Sequence, residues 1–344
     1  MGSLLSIDIG KKNLHIVEGK FKKNNVMVGR MASFQIPKGV FQGEAIFSPK
    51  LLTETISKAA RSFSSKSAVI TIDAFGTIVR DVDLPSGKPR EIAEIIKNEM
   101  IQAFHIDSGD VIQYKKIGKV TEEDAVLDRY RVAALNQEWV HSYYNVLSDT
   151  KLKPRAMDIN INAVDKLFDG DVIINKKPLK DAGTMLIDFG HTITTVYIIS
   201  KGQPFFFRQL ETGCGEIESL ISANTFQTAE DIRKMKEEGF NFFRVDEDAA
   251  KYYDLFSPFL YNLMDEIRKV IGFYVSRYRG AVQQIYLFGG GSNLVGFSQY
   301  CENNFGVPTE QIVSLSNVKI KSPATSIAPY VNAIGGLIRY EGRK

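Results

Sequence analysis

The fold is decided by the stretch Ile7–Val17, which reads IDIGKKNLHIV and has a second copy, IDFGHTITTVY, at Ile187–Tyr197. Each copy has the pattern of an apolar strand, an Asp-x-Gly turn with polar residues, and a second apolar strand. The copies lie 180 residues apart, whereas solenoid repeats recur every 20–50 residues or so. We therefore expect a duplicated α/β protein in which each copy opens one half.

The two Asp-x-Gly turns carry residue types that suit a phosphate group and its cation. Gly10 and Gly190 leave room for backbone N–H groups to approach a phosphate. Asp8 and Asp188 stand at the ends of the predicted strands, where a carboxylate can hold Mg²⁺, usually through water. One such turn is ordinary hairpin chemistry, but two copies with matched flanking strands favour a nucleotide site.

A third glycine-rich segment, Gly289–Ser292, follows the predicted strand Gln284–Phe288. Three glycines between a strand and the start of a helix allow a flat ring and its sugar to approach closely, and the helix N-terminus attracts an anion. The segment is not a dinucleotide fingerprint, because Leu294 stands where the GxGxxG pattern requires its third glycine. The sequence contains no GxxxxGK[ST] motif either.

The hydrophobic pattern predicts the remaining elements. Thr228 is predicted to cap the N-terminus of a charged helix, with Asp231 as the acidic partner of a capping box. Helices are expected at Ser48–Phe63, Arg90–Phe104, Glu138–Thr150, Thr228–Glu238, Pro258–Tyr278 and Pro329–Tyr340. Strands are expected at Ser67–Ile72, Asp110–Val120, Asp124–Ala134 and Leu152–Ile159.

Composition argues against several classes of protein. Hydrophobic residues make up 44% and charged residues 24% of the chain, with a net charge of +3, which is ordinary for a globular protein and gives no nucleic-acid footprint. Cys214 and Cys301 lack the spacing of a zinc site or a disulfide framework, which favours a reducing cytosol. No apolar run approaches the roughly 18–20 residues that span a bilayer, so we expect a soluble protein.

In their order and spacing, the two turns and the third glycine segment resemble the actin-like ATPase superfamily of actin, heat-shock chaperones, sugar kinases and FtsA. The resemblance implies that Asp8–Asn13 and Asp188–Thr192 are the two phosphate loops and that Gly289–Ser292 is the adenosine loop. It also implies ATP and Mg²⁺ as ligands, with the metal held by Asp8 and Asp188 through water. The nucleotide-binding residues implied in this way are Asp8, Gly10, Lys11, Lys12, Asn13, Asp188, Gly190, His191, Thr192, Gly213, Gly215, Glu230, Arg233, Gly289, Gly290, Gly291 and Ser292.

Within the superfamily, the sequence is similar to the PilM family of type IV pilus assembly proteins. The segments Val79–Pro85, Tyr130–Ala134 and Lys153–Asp158 resemble that family. Thr228–Arg233 resembles the helix that flanks the adenine and ribose in the FtsA group, with arginine in place of the usual lysine. Thr212–Gly215 resembles the glycine turn near the nucleotide in the second half.

The resemblance implies duplicated actin-like, RNase H-like halves around a nucleotide cleft, with an inserted α+β subdomain of the FtsA and PilM type. Residues 1–80 and 153–182 are expected to form the first half, and residues 81–152 the inserted subdomain. Residues 183–344 are expected to form the second half, with an insertion of its own at about 216–284.

Hydrolysis of ATP requires a group that orients a water molecule in line with the γ-phosphate. In the PilM pattern, the position of Asn160 usually carries glutamate. An amide can hold a water but cannot take its proton, so we expect ATP binding with slow or no hydrolysis, and Asn160 at most positions water. Asp158 is interpreted as an acid that stabilises the fold, and His191 as a turn residue with a backbone hydrogen bond. The other histidines have no partner at triad or metal spacing.

The function implied is a cytoplasmic ATP-binding scaffold of type IV pilus assembly. PilM-like proteins take the cytoplasmic N-terminal tail of a PilN-like bitopic membrane protein in a groove beside the inserted subdomain. The chain is therefore expected to be cytoplasmic and peripheral to the inner or only cell membrane. Pilus assembly ATPases and a homo-oligomer are also considered as partners.

Two alternatives stay open at this point. One is an FtsA-like filament or cell-division protein, although the predicted closing helix leaves no room for a membrane-targeting helix after it. The other is a small-molecule kinase of the same superfamily, although no third acid stands out as a base for the acceptor hydroxyl.

Overall fold

The structure is a computed structural model that describes residues 2–73, 76–122, 125–179, 183–200, 205–228, 231–232, 234–235, 247–321 and 326–339. Its strands are β1 Leu4–Ile9, β2 Asn13–Lys22, β3 Asn25–Gln35, β4 Phe41–Gln42, β5 Ala45–Ile46, β6 Ser67–Ile72, β7 Ile78–Leu84, β8 Val111–Glu122, β9 Ala125–Leu135, β10 Lys153–Ile159, β11 Ile173–Ile174, β12 Lys177–Pro178, β13 Thr184–Phe189, β14 Thr194–Ile199, β15 Phe206–Leu210, β16 Gln284–Phe288, β17 Thr309–Gln311 and β18 Val318–Ile320. Its α-helices are α1 Pro49–Ala60, α2 Pro89–Phe104, α3 Gln137–Ser148, α4 Asn160–Leu167, α5 Gly215–Asn224, α6 Glu247–Tyr278, α7 Phe297–Phe305 and α8 Val331–Gly336.

The chain folds into two compact units. The first unit comprises Met1–Pro37, Thr55–Asp73 and Leu152–Lys344. The second unit comprises Lys38–Glu54 and Ala74–Lys151.

Two sheets of the first unit repeat one topology. The six-stranded sheet has the order β10-β6-β1-β2-β3-β18, and the five-stranded sheet has the order β15-β14-β13-β16-β17. In each sheet an antiparallel hairpin, β1–β2 or β13–β14, lies beside a parallel strand, β6 or β16. Asp8 pairs with His15 in the first hairpin, and Asp188 pairs with Thr195 at the equivalent place in the second. The predicted duplicated α/β fold is thus confirmed.

Burial explains why the two central strands have almost continuous apolar sequences. Every residue of β1 after Leu4, and every residue of β13, is buried, as expected for strands covered on both faces. On one face of the second sheet, Ile187 and Phe189 pack with Ile217 of α5, Leu260 of α6 and Phe297 of α7 in a single core.

Helices α4 and α8 pack very closely in the first unit. A Cβ atom at Gly335 would overlap the carbonyl oxygen of Ala163, and one at Gly336 would overlap the hydroxyl of Ser6. Close packing of this kind requires glycine at both positions, because any side chain would push α8 away from α4 and β1. Both helices begin beside the two Asp-x-Gly turns, so their contact fixes residues that reach into the site described below.

The second unit is built on the antiparallel sheet β7-β9-β8. Helix α2 covers one face of this sheet, where Ile92, Ile96 and Met100 pack against Val132. Two arginine–aspartate pairs join neighbouring strands β9 and β7, namely Arg129 with Asp83 and Arg131 with Asp81.

Two predicted helix boundaries are wrong. Helix α6 begins at Glu247, eleven residues before the predicted start at Pro258. A proline inside a helix removes a hydrogen bond and usually marks a boundary, but Phe256 and Leu260 on either side are fully buried, and their packing keeps the helix continuous. The predicted closing helix is shorter, since a 3₁₀ turn at Ala328–Tyr330 leads into the six residues of α8.

The predicted capping box at Thr228 is confirmed. The backbone N–H of Thr228 donates to Asp231 Oδ2 at 2.9 Å, and the N–H of Asp231 donates to Thr228 Oγ1 at 3.2 Å. Much of the helix expected after this cap lies outside the described residues. In the part of the chain that the structure describes, no helix is both long and apolar enough to cross a membrane.

Candidate functional site

A pocket in the first unit lies where the two Asp-x-Gly turns and the third glycine segment meet. Twelve of the predicted site residues line it: Asp8, Gly10, Lys11, Lys12, Asn13, Asn160, Asp188, Gly190, His191, Thr192, Gly289 and Gly290. Glu230 and Arg233 lie outside the described residues. The structure thus brings together predicted site residues as far apart in sequence as Asp8 and Gly290.

The two Asp-x-Gly turns have the same geometry. The N–H of Gly10 donates to the carbonyl of Asn13 at 3.1 Å, and the N–H of Gly190 donates to the carbonyl of Ile193 at 3.0 Å. A Cβ atom at Gly10 would lie 3.0 Å from the oxygen of Asn13, and one at Gly190 would lie 2.6 Å from the oxygen of Ile193. Both turns need glycine, and both present backbone to the pocket.

The pKa values of Asp8 and Asp188 in the pocket are both strongly raised. Each aspartate is only 5% exposed, and among the described residues neither forms an ion pair with a lysine or arginine. Burial raises the pKa of Asp8 to about 7, and repulsion from Asp188 adds to that rise. Burial likewise raises the pKa of Asp188 to about 6, opposed by a hydrogen bond from Asn332. Two buried carboxylates without a cation are a place where positive charge is favoured.

Two asparagines surround this pair of carboxylates. Asn332 Nδ2 donates to Asp188 Oδ2 at 2.8 Å, and the side chains of both Asn332 and Asn160 also hydrogen-bond Asp8. Thr71 Oγ1 donates to Asp8 Oδ1 at 3.2 Å. Asn160 and Asn332 are each 6% exposed, and their amide oxygens find no hydrogen-bond donor among the described residues.

This donor set fits a hydrated divalent cation. Carboxylate and amide oxygens are the ligands that Mg²⁺ prefers, and Mg²⁺ usually keeps several of its waters. Those waters would donate to the amide oxygens of Asn160 and Asn332, which need donors. The residues present therefore fit the predicted metal position at Asp8 and Asp188.

Lys12 lines the pocket, but its charge is already paired. Its Nζ donates to Glu218 Oε1 of helix α5 at 2.6 Å. This ion pair joins the turn of the first half to a helix of the second half. A phosphate in the pocket would compete with Glu218 for the same ammonium group.

A second polar contact joins the two halves at the pocket. Gln209 Nε2 of β15 donates to Asp73 Oδ1 at 2.7 Å, and Asp73 lines the pocket. Sequence reasoning missed Asp73, although a signal was available. It directly follows the predicted strand Ser67–Ile72, and ligands gather beyond the carboxyl ends of parallel strands.

Gly213 and Gly215 support the second turn and do not line the pocket. The N–H of Gly215 donates to the carbonyl of His191 at 2.8 Å, and the N–H of Cys214 donates to the carbonyl of Gly190 at 2.9 Å. A Cβ atom at Gly213 would lie 2.5 Å from the carbonyl of His191. These glycines allow the loop before α5 to lie directly against the phosphate-loop candidate.

The third glycine segment divides into two parts. Gly289 and Gly290 line the pocket, with Gly289 at a φ of 80°, a value that favours glycine. Gly291 does not line it, because its Cα packs on Phe189, where a Cβ atom would lie 2.7 Å from the ring. Ser292 is buried, and its Oγ donates to the carbonyl of Gly289 at 2.7 Å.

The helix expected directly after these glycines begins later. Gly290–Asn293 forms a 3₁₀ turn, and α7 starts at Phe297. Gly296 separates the two with a φ of 83°, outside the helical region. No α-helix N-terminus therefore begins within the glycine segment itself.

Sequence reasoning also missed Asn332 and His15, which both line the pocket. Asn332 is the one polar side chain of helix α8, whose sequence is VNAIGG, and that contrast was the available signal. His15 Nδ1 lies 2.7 Å from Ser33 Oγ, and its ring meets the ring of Tyr330 edge to face. Burial lowers the pKa of His15 to about 4, so its imidazole is neutral at physiological pH.

Two halves of one topology, each presenting an Asp-x-Gly hairpin to a common pocket, define a protein of the actin-like ATPase fold. A solved structure described as a PilM–PilN type IV pilus biogenesis complex is similar over 97% of this chain and 97% of its own, with 19% identity and a TM-score of 0.80. The ethanolamine utilization protein EutJ from Carboxydothermus hydrogenoformans is similar over 98% of this chain and 89% of its own, with 12% identity and a TM-score of 0.54.

The family model described as type IV pilus assembly protein PilM matches residues 6–330. The chain therefore belongs to the PilM family of type IV pilus assembly proteins. A search of curated protein sequences finds no match to it.

The raised pKa of Asp8 predicts a link between pH and stability. Because the folded pKa of about 7 exceeds the ordinary 3.8, protonation of Asp8 favours the folded state. This stabilisation is complete below the ordinary pKa and is lost as pH rises through about 7. Asp8→Asn should therefore raise the melting temperature of the ligand-free protein at pH 8 by at least ~2 °C, and by less at pH 6.

The measurement is a thermal melt of both proteins across pH 5.5–8.5, with Asp265→Asn as the control. Asp265 is a partly exposed carboxylate on α6 that pairs with Lys269, so its replacement should change little. If Asp8→Asn is less stable than wild type at pH 8, the energetic cost inferred for burying the ionised Asp8 beside Asp188 is wrong.

Proposed function

We propose that this chain binds ATP with Mg²⁺ in the pocket of its first unit and acts as an ATP-binding scaffold of type IV pilus assembly. The observation that carries the proposal is the buried pair Asp8 and Asp188, which lies between two glycine turns and lacks a cationic partner among the described residues. A nucleotide alone would add negative charge to this place, whereas a nucleotide with Mg²⁺ supplies the missing cation.

Each wall of the pocket has a role in this proposal. Asp8 and Asp188 hold the cation through its water, and Asn160 and Asn332 accept hydrogen bonds from the same waters. When bound, the cation offsets the negative charge of the phosphates. The backbone at Gly10 and Gly190 faces the phosphates, and Gly289 with Gly290 faces the nucleoside.

Hydrolysis is proposed to be slow or absent. The Asn160 amide lies beside Asp8 and can orient water, but it cannot accept a proton. Asp8 and Asp188 are occupied by the cation in this arrangement. The nucleotide then acts mainly as a structural or switching ligand.

The proposal also assigns domain bounds. The two halves are formed by residues 1–80 with 153–182 and by residues 183–344, and the inserted subdomain by residues 81–152.

Calorimetry tests the nucleotide proposal directly. Wild-type protein should bind ATP in the presence of Mg²⁺ and bind it much more weakly in EDTA. Asp188→Asn should weaken ATP–Mg²⁺ binding about 10–100-fold, as losses around a metal typically do, with Asp265→Asn again as the control. Phosphate release should stay far below the median enzyme turnover of about 10 s⁻¹. Equal ATP binding with and without Mg²⁺ would refute the role of the carboxylate pair.

The ion pair between Lys12 and Glu218 predicts a variant with higher affinity. Glu218→Gln leaves Lys12 available to a phosphate and should tighten ATP–Mg²⁺ binding a few-fold, because a partly exposed ion pair is worth roughly 0.2–1 kcal/mol. Lys12→Gln should weaken binding. Competition titrations against a fluorescent ATP analogue measure both changes, and weaker binding by Glu218→Gln would show that Glu218 helps the nucleotide instead of competing with it.

The partner is proposed to be the cytoplasmic N-terminal tail of a PilN-like bitopic membrane protein. Family membership and the similarity to a structure described as a PilM–PilN complex support this partner. The chain would then be cytoplasmic and peripheral to the membrane through that tail.

Fluorescence anisotropy with a labelled tail peptide from the same organism should show saturable binding, and a scrambled peptide should not bind. Repeating the titration with ATP–Mg²⁺ measures whether the two ligands are coupled, because any coupling changes both affinities by the same factor. Failure of all PilN-like tails from the organism to bind would remove this partner from the proposal.

A further inference from the structure

The side chain of Gln311 holds the third glycine segment from outside the pocket. Gln311 ends strand β17, and its Nε2 donates to the carbonyl of Ser292 at 2.9 Å, to Ser292 Oγ at 3.1 Å and to Asn293 Oδ1 at 2.8 Å. Three acceptors of one 3₁₀ turn thus share the donors of a single amide. The same turn begins with Gly290, which lines the pocket.

The other end of the same amide reaches a second wall of the pocket. Ser326 Oγ donates to Gln311 Oε1 at 3.0 Å and accepts from the N–H of Ala328 at 3.2 Å. The carbonyl of Ala328 in turn accepts from the N–H of Gly289 at 3.0 Å. Gln311 therefore connects the glycine segment to the segment that continues into Asn332.

The backbone of Gln311 is held in place by the sheet and by a side-chain hydrogen bond. It pairs with Leu287 in the sheet, and its carbonyl accepts from Asn175 Nδ2 at 2.7 Å. Ordering consecutive glycines costs the most conformational freedom. The side chain of Gln311 adds to the bond from Ser292 Oγ to the Gly289 carbonyl in restraining this segment.

We propose that Gln311 is a positioning residue that holds Gly289 and Gly290 in the geometry required by the nucleoside part of the ligand. This inference rests on the proposed function, which assigns that wall to the nucleoside. Gln311 does not line the pocket and acts through Ser292 and Asn293. Its loss should affect the nucleoside end of the ligand more than the phosphate end, where the Asp-x-Gly turns remain intact.

The test compares ATP–Mg²⁺ with Mg²⁺–tripolyphosphate, which has phosphates but no nucleoside. In titration calorimetry, Gln311→Ala and Gln311→Glu should each lower the ratio of ATP to tripolyphosphate affinity about tenfold, the effect of losing one or two hydrogen bonds. Gln311→Glu keeps the length of the side chain but loses its donors. Gln299→Ala is the control, since Gln299 bonds Asn303 on the surface of α7.

Each outcome decides the inference. Unchanged ATP affinity in both variants overturns it, and so does an equal loss for both ligands, which would indicate that Gln311 affects the whole pocket and not the nucleoside wall. Circular dichroism and thermal melts confirm that the variants are folded before they are titrated. Wild-type protein that binds neither ligand would overturn the proposed function itself, whereas wild-type binding with unaffected variants would overturn only the role of Gln311.

Discussion

The burial of two neighbouring carboxylates, Asp8 and Asp188, is the constraint on which the rest of the site depends. Burial raises the pKa of both carboxyl groups, and hydrogen bonds from Thr71, Asn160 and Asn332 oppose that rise. The fold keeps the carboxylates together because each occupies the same position of a duplicated hairpin. A protein that only needed stability would gain from replacing one of them, which is why the proposed function assigns a cation to this pair.

The packing of helices α4 and α8 positions two side chains that bond these carboxylates. Each helix begins with or next to an asparagine that bonds the carboxylates, and the two helices touch at Ala163 and Gly335. A side chain at Gly335 would separate them and would move Asn332 away from Asp188. The glycines of α8 and the polar groups of the pocket are therefore parts of one arrangement, in which helix packing sets the geometry of hydrogen bonds.

The sequence was sufficient to predict the duplicated fold and the two turns, because the residues that form a β-hairpin and its turn are consecutive in the chain. It was insufficient for Asn332, whose bond to Asp188 spans 144 positions of the chain, and no local pattern predicts such a contact. It also could not separate glycines that approach a ligand from glycines that pack on neighbours. Gly290 and Gly291 look equivalent in sequence, but one lines the pocket and the other lies against Phe189.

The contacts between the two halves indicate how a ligand would act on this fold. Two side-chain pairs at the pocket each join a residue of the first half to a residue of the second half. They are Lys12 with Glu218 and Asp73 with Gln209. A phosphate that drew on Lys12 would compete with Glu218 for the same ammonium group, so nucleotide binding would weaken a contact between the halves. A ligand can shift an arrangement only by the difference in its affinity for the two states. Competition for Lys12 would supply such a difference without any chemical step. Under the proposed function, a nucleotide that is bound but not hydrolysed would then change how the two halves are held together.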